Sequence, residues 1–222
     1  MPRVLTVNLG AVLATEHSDI GITGIDKRPA AGPVELADPG LEGGRSGAAG
    51  DHVCDARHHG GRDQAVYAFA REDLDEWAAA LGRTLPNGVF GENLTTSGLD
   101  LSEAVIGERW QVGGQAVLEV SVPRIPCRTF AGWLGERGWV KTFTQRARPG
   151  TYLRVLSPGQ VAPGDPIRVL DRPSHGVTVA LTFRALTTEP ELLPTLLPAT
   201  ALPAEAWDRA ARHATSPGKA AG

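Results

Sequence analysis

Glycine and proline cut this chain into short pieces. Its 222 residues include 27 glycines and 17 prolines. They punctuate the apolar runs at Gly82, Gly135, Pro149-Gly150, Ser157-Pro-Gly and Pro163-Gly-Asp. Residues that fix φ or permit turns leave little room for long helices and favour short strands. Val4–Leu9, Val34–Leu36, Trp110–Val112, Gln115–Val122, Thr151–Leu156 and Ile167–Leu170 read as strands. Within Gln115–Val122, Leu118, Val120 and Val122 face one way and Glu119 and Ser121 the other, as in a half-buried strand. Ile20–Ile25 alternates apolar residues with Thr and Gly before Asp26-Lys27-Arg28-Pro29 supplies charge and a stop. Such strands with regular turns predict a mainly β fold, a barrel decorated by small helices.

The helical signals are few. Arg71–Leu81 carries Leu74, Trp77, Ala78 and Leu81 on one face, acidic residues in its first turn and Gly82 after its end. Phe130 and Leu134 form a second stripe, and Trp139, Val140 and Phe143 a third. Ala65–Phe69 and Val177–Leu186 satisfy both strand and helix templates. After Pro173 the texture turns helical, with Leu192, Leu193, Leu196 and Leu197 at helical spacing despite Pro194, and Trp207, Ala210 and Ala211 on one side of Pro203–His213. Gly40–Gly50 reads as a mobile loop.

One cysteine sits where an alternating run stops and a helical pattern begins. In Val122–Phe130, Pro123 and Pro126 fix the approach to Cys127, and Pro126 suits the first helical position. Arg124 and Arg128 bring positive charge to the thiol, and cations and a helix start both favour the thiolate that binds metals and attacks electrophiles. Asp51–Gln64 is a second polar cluster, but Cys54-x3-His58-His59 lacks the second chelating pair of a zinc finger. His58-His59-Gly60-Gly61 can instead bring imidazole and backbone N–H groups to an anion. At Gly88–Leu94 a bend presents Glu92 and Asn93, an acid and an amide.

The net charge of −3 gives no electrostatic case for a nucleic-acid polymer as partner. The two cysteines form no disulfide framework, and no run approaches the roughly 18 apolar residues of a membrane span. The start, Met1-Pro-Arg-Val-Leu, has no apolar signal core. The expectation is a cytoplasmic protein without a membrane partner.

Four pieces stand in order: His58-His59-Gly-Gly-Arg-Asp-Gln-Ala-Val-Tyr-Ala, Phe90-Gly-Glu-Asn-Leu, Pro123-Arg-Ile-Pro-Cys-Arg-Thr-Phe and Arg148-Pro-Gly-Thr-Tyr-Leu-Arg-Val. Together they resemble the MOSC family, named for the C-terminal domain of molybdenum-cofactor sulfurase, and within it the stand-alone bacterial YiiM-like branch. Thr23-Gly-Ile-Asp-Lys-Arg-Pro and Val161-x-x-Gly-Asp extend the match over most of residues 1–172. The resemblance implies a β-barrel domain over 1–172, like the pyruvate-kinase insert barrel, and the C-terminal helical appendage over 173–214 looks like that of the branch; the chain from Thr215, residues 215–222, reads as a disordered tail. A homodimer contact is expected in the appendage if anywhere, and cutting at Pro173 is expected to leave a barrel that still holds its cofactor.

The resemblance also implies a molybdenum–pyranopterin cofactor. Cys127 matches the family's molybdenum-ligating, catalytic cysteine, and His59, Gln64, Asn93 and Arg128 would lie around the cofactor. The implied chemistry is reduction of small N-hydroxylated compounds, such as hydroxylaminopurines, to amines. His58, His59, Glu92 and Asp51 are candidate proton donors. The sequence holds no GxGxxG fingerprint, haem motif or iron–sulfur spacing, so electrons are expected from a separate flavoprotein reductase that docks transiently. Two rival roles remain: sulfur transfer through a Cys127 persulfide, and cofactor carriage without turnover. The extra glycine-rich segment between Gly43 and Gly50 departs from the compact family pattern and leaves that loop's path near the site open.

Overall fold

The computed structural model describes residues 1–215. The N-terminal half supplies β1 (Arg3–Gly10), β2 (Leu13–Ala14), β3 (Ile22–Thr23), β4 (Lys27–Pro29), β5 (Val34–Leu36), β6 (Val66–Ala70), α1 (Arg71–Leu81) and β7 (Leu94–Ser97). There follow β8 (Arg109–Val112), β9 (Ala116–Pro123), α2 (Arg128–Leu134), α3 (Trp139–Arg146), β10 (Thr151–Ser157), β11 (Gly159–Val161) and β12 (Ile167–Asp171). The chain ends in α4 (Val179–Thr187), a 3-10 segment over Pro190–Leu196, and α5 (Ala204–Thr215). Of the expected tail at 215–222, Thr215 ends α5 and the rest lies outside the described residues.

Eight strands form one sheet in the order β12-β8-β9-β10-β6-β7-β1-β4. Among the described residues no ladder joins β12 to β4, so the expected barrel is a curled sheet rather than a closed one. The start of β12 instead approaches the start of β1, the strand beside β4, through the bridge between Arg3 and Pro166 and through hydrogen bonds from Val4 N–H to Asp165 O (2.9 Å) and Ile167 N–H to Pro2 O (2.9 Å). β6 and β7 are parallel, which a tight turn cannot achieve, and α1 is the crossover that connects them.

The ambiguous segments resolve by burial. Every residue of Val66–Ala70 is buried, the mark of a central strand. Val179–Thr187 is a helix because the Thr178 side chain accepts from Leu181 N–H, capping its first turn. α1 ends at Gly82, whose left-handed backbone turns its N–H back to Ala78 and Ala79. The half-buried reading of β9 is corrected. Glu119 and Ser121 are buried too, and Glu119 accepts from Arg109 Nε and Arg154 Nη1, each at 3.1 Å. Pro194 shifts its segment to 3-10 geometry instead of α.

Two apolar clusters hold these layers. One runs from β1, β6, β9 and β10 into the C-terminal segment and includes Val179, Leu193, Leu196, Leu202 and Ala210. The other is aromatic: Trp77 of α1, Phe90, Phe130 of α2, and Trp139 and Phe143 of α3, with Phe183 of α4 at its edge. Phe130 meets Phe90 at 5.1 Å and Phe143 at 5.3 Å, edge to face. That contact anchors the start of α2, and with it Cys127.

Candidate functional site

Strand β9 ends at Pro123, and the next three residues lead to Cys127. Pro126 does not open the helix. Cys127 is the N-cap, in extended geometry, and its C=O accepts the first helical hydrogen bond from Ala131 N–H at 3.0 Å. Its thiol opens into a half-open cavity with about 730 Å³ of empty space, solvent at the mouth included. Burial pushes the thiol up, but a hydrogen bond from His59, the Arg124 charge and the Phe130 N–H outweigh it and lower the pKa to about 6. Cys127 is therefore a thiolate at neutral pH.

Arg124 is fixed beside it. Its guanidinium lies 4.1 Å from the Phe130 ring centroid and 5.0 Å from that of Tyr67, and Nη1 donates to Phe90 O. Only 5% of the residue is exposed, so this charge is little screened by water.

His59 reaches the thiolate from a tight turn in which Asp55 O accepts from the N–H of His58 and His59. The glycine-rich loop packs against that turn: Gly44 N–H donates to His59 O at 2.9 Å and Gly61 N–H to Arg45 O at 2.9 Å. A Cβ on Gly60 would come within 2.7 Å of Arg45 O, so only glycine lets the two loops touch. The expected mobile loop is thus tied to the site, and its Ser46 lines the cavity.

Gln64 and Asn93 also line the cavity. Gln64 Oε1 is buried with no hydrogen-bond partner. Asn93 is committed: Oδ1 accepts from Tyr67 N–H at 3.1 Å, and Nδ2 donates to Asp51 Oδ2 at 2.8 Å and Asn8 O at 3.3 Å.

Arg128 stands apart from this group. Its side chain is 71% exposed, and it donates to Asp19 Oδ1 (3.2 Å) and Glu16 O (3.1 Å) on the connection between β2 and β3. It is a clamp on that hairpin, not a cavity wall. Two proton-donor candidates are likewise displaced. His58 is exposed away from the cavity walls, and Glu92 is wholly buried under its turn. Glu92 accepts from Gly88 N–H, Phe90 N–H and Thr95 Oγ1, and burial raises its pKa against those donors.

Sequence reasoning overlooked Lys27 and Tyr152, both cavity walls. In sequence Lys27 belongs to a run of turn charge, and its burial beside Asp51, which puts it on the cavity, depends on a partner 24 residues away. Cys54 lines the cavity as well, and burial pushes its thiol up, the opposite of Cys127. Among the described residues, no group of three or more His, Cys, Asp or Glu side chains could hold a metal ion by itself. No helix there is long and apolar enough to cross a membrane.

Known proteins are similar to this chain in sequence and fold. The MOSC domain family matches residues 55–168. YflK of Bacillus subtilis is 37% identical over 182 residues, covering 82% of this chain and 79% of its own. A Gibberella moniliformis protein named Reductase is 30% identical over 146 residues, 64% of this chain but 24% of that longer protein. The crystal structure of YiiM from Geobacillus stearothermophilus superposes with a TM-score of 0.77 at 25% identity, over 96% of this chain and 98% of that one.

Proposed function

This chain belongs to the MOSC domain family, and from that premise we propose that it is a molybdenum-cofactor-dependent reductase of N-hydroxylated compounds, such as hydroxylaminopurines, to amines. The observation that carries the reading is the Cys127 thiolate, held by His59, Arg124 and the Phe130 N–H at the wall of a half-open cavity. A thiolate suits a soft metal centre far better than an alkoxide would. The cavity fits such a group in a second respect. Gln64 Oε1 and Arg124 Nε are buried without partners, so its walls retain polar capacity for a ligand. Cys127 would be the protein's metal ligand, with the pterin supplying further ones.

When bound, the cofactor would supply the electron pair that reduces the N–O bond. The chain's own residues do the rest. His59 steadies the sulfur, Arg124 balances the negative charge gathered at it, and Ile22 and Tyr152 wall the substrate space. Electrons would come from a separate flavoprotein reductase docking transiently, since the sequence carries no nucleotide fingerprint. The relative named Reductase supports oxidoreductase chemistry. Free Cys54 and Cys127 suit the reducing cytoplasm.

The test is to make the protein in a host that synthesises the cofactor and assay molybdenum, pterin and amine formation. Cys127→Ser should keep the fold and lose bound molybdenum or all turnover; full activity in that variant removes the central claim. NADPH alone should give no turnover, and a flavoprotein reductase or low-potential chemical reductant should restore it. Molybdenum-free protein carrying a Cys127 persulfide would establish sulfur transfer instead, and loaded protein without turnover a carrier.

A further inference from the structure

Lys27 is an ammonium buried at the cavity wall with hydrogen bonds to spare. Its side chain is 8% exposed, and its Nζ bonds Asp51 Oδ1. An ammonium carries three donors, so two remain for whatever enters. Asp51 has nothing left to give. Its side chain is 0% exposed, and it accepts from Gly10 N–H at 2.8 Å and Asn93 Nδ2 at 2.8 Å as well as from Lys27. The carboxylate is fixed from three sides and holds the ammonium in place.

The other candidate donors are occupied or remote. His59 serves the Cys127 thiolate, whose pKa it lowers, and His58 and Glu92 do not line the cavity. We propose that Lys27 is the general acid that protonates the departing oxygen when an N-hydroxylated substrate is reduced, with Asp51 as its positioning residue; this rests on the reductase reading above. The balance is R–NH–OH plus two electrons and two protons giving R–NH2 and water. The N–O bond breaks and nitrogen is reduced, with electrons from the reduced cofactor, refilled by the redox partner. Lys27 passes one proton to the oxygen, so that water leaves instead of hydroxide. Solvent supplies the proton on nitrogen and then reprotonates Lys27 through the cavity mouth.

The surroundings tune Lys27 for this. Burial lowers its pKa, Asp51 and Glu92 oppose the shift, Arg124 adds to it, and the net direction is down. Cys54 also faces it, and His52 Nδ1 lies 3.0 Å from Gly10 O nearby. A donor works best when its pKa approaches the working pH.

The experiment uses molybdenum-loaded protein and a chemical reductant, with an aryl hydroxylamine and its O-acetyl ester as paired substrates. Acetate leaves without needing a proton. Lys27→Arg keeps the charge and the Asp51 pair but cannot donate near neutrality. It should retain molybdenum, pterin and calorimetric substrate affinity, lose about 100-fold in kcat on the hydroxylamine, and stay close to wild type on the ester. The Lys27→Met/Asp51→Asn double variant, which leaves no unpaired acid, should behave alike. Wild-type kcat on the hydroxylamine should fall as pH rises through the Lys27 titration, and that limb should vanish in both variants. Equal losses on both substrates, unchanged kcat, or loss of cofactor from both variants would overturn the assignment. A loaded wild type that reduces neither substrate would instead bring down the reductase reading, and this inference with it.

Discussion

Cys127 is ionised because donors surround a sulfur that burial alone would keep protonated. Its ordinary value of 9.0 falls to about 6 on folding, so the folded chain gives up that proton before the unfolded chain does. The stability gained is fully present above 9.0 and is lost as pH falls through about 6. In cofactor-free protein, Cys127→Ser should therefore lower the urea midpoint more at about pH 9 than at about pH 5. Alkylation by iodoacetamide gives a second reading. Cys127 should react half-maximally at a pH of about 6, with Cys54 lagging because burial raises it. Equal labelling of both cysteines across the neutral range would contradict the electrostatic account of the site.

The β2–β3 hairpin is the element that stands over this chemistry. Ser18, Ile22 and Thr23 line the cavity, while Arg128 and Thr129 of α2 hold the connecting segment through Asp19, Glu16 O and His17 O. The His17 ring lies where a Cβ on Gly132 would go, so the helix face is shaped to receive it. An exposed ion pair contributes little globally, about 0–1 kcal/mol. Arg128→Ala should hardly change Tm, yet raise amide exchange selectively over residues 13–23 and leave molybdenum content intact. Gly132→Ala should loosen the same segment further by displacing His17. Loss of molybdenum from Arg128→Ala would return the arginine to the role that the motif resemblance implied.

For the molecule as a whole, the C-terminal helices are structural members of the core. Val105 bridges to Thr178, Arg154 Nη1 donates to Ala201 O at 2.7 Å, and Phe183 closes on Phe143 at 6.4 Å between ring centroids. Val177, Val179, Leu193 and Leu196 are each no more than 2% exposed. Removing these four apolar side chains, each worth about 1.5–3 kcal/mol, forfeits an amount comparable to the about 5–15 kcal/mol by which a domain is stable. A chain cut at Pro173 should therefore fail to fold cooperatively, which revises the expectation of a barrel that still holds its cofactor. A monodisperse truncated protein with a sharp thermal transition would show the core division to be wrong.

The local elements could be read from sequence wherever one short segment carries its own pattern and stop. Arg71–Leu81 with Gly82, the strands at Val34–Leu36 and Trp110–Val112, and the helix after Cys127 all follow from periodicity and capping, which need only neighbours along the chain. Cys127, His59, Gln64 and Asn93 were brought together first by the order of motifs, and the fold puts all four on one cavity. The fates of Arg128, Glu92 and Lys27 required tertiary structure. Arg128 follows Cys127 directly yet turns to a hairpin more than a hundred residues away in sequence, as the Asp19 contact shows. Glu92 and Lys27 differ only in which side of a wall their charge meets, one sealed beneath a turn and the other facing the cavity. Charge and spacing give a residue its chemistry, but burial and partners decide whether that chemistry reaches a ligand, and those depend on segments far apart in the chain.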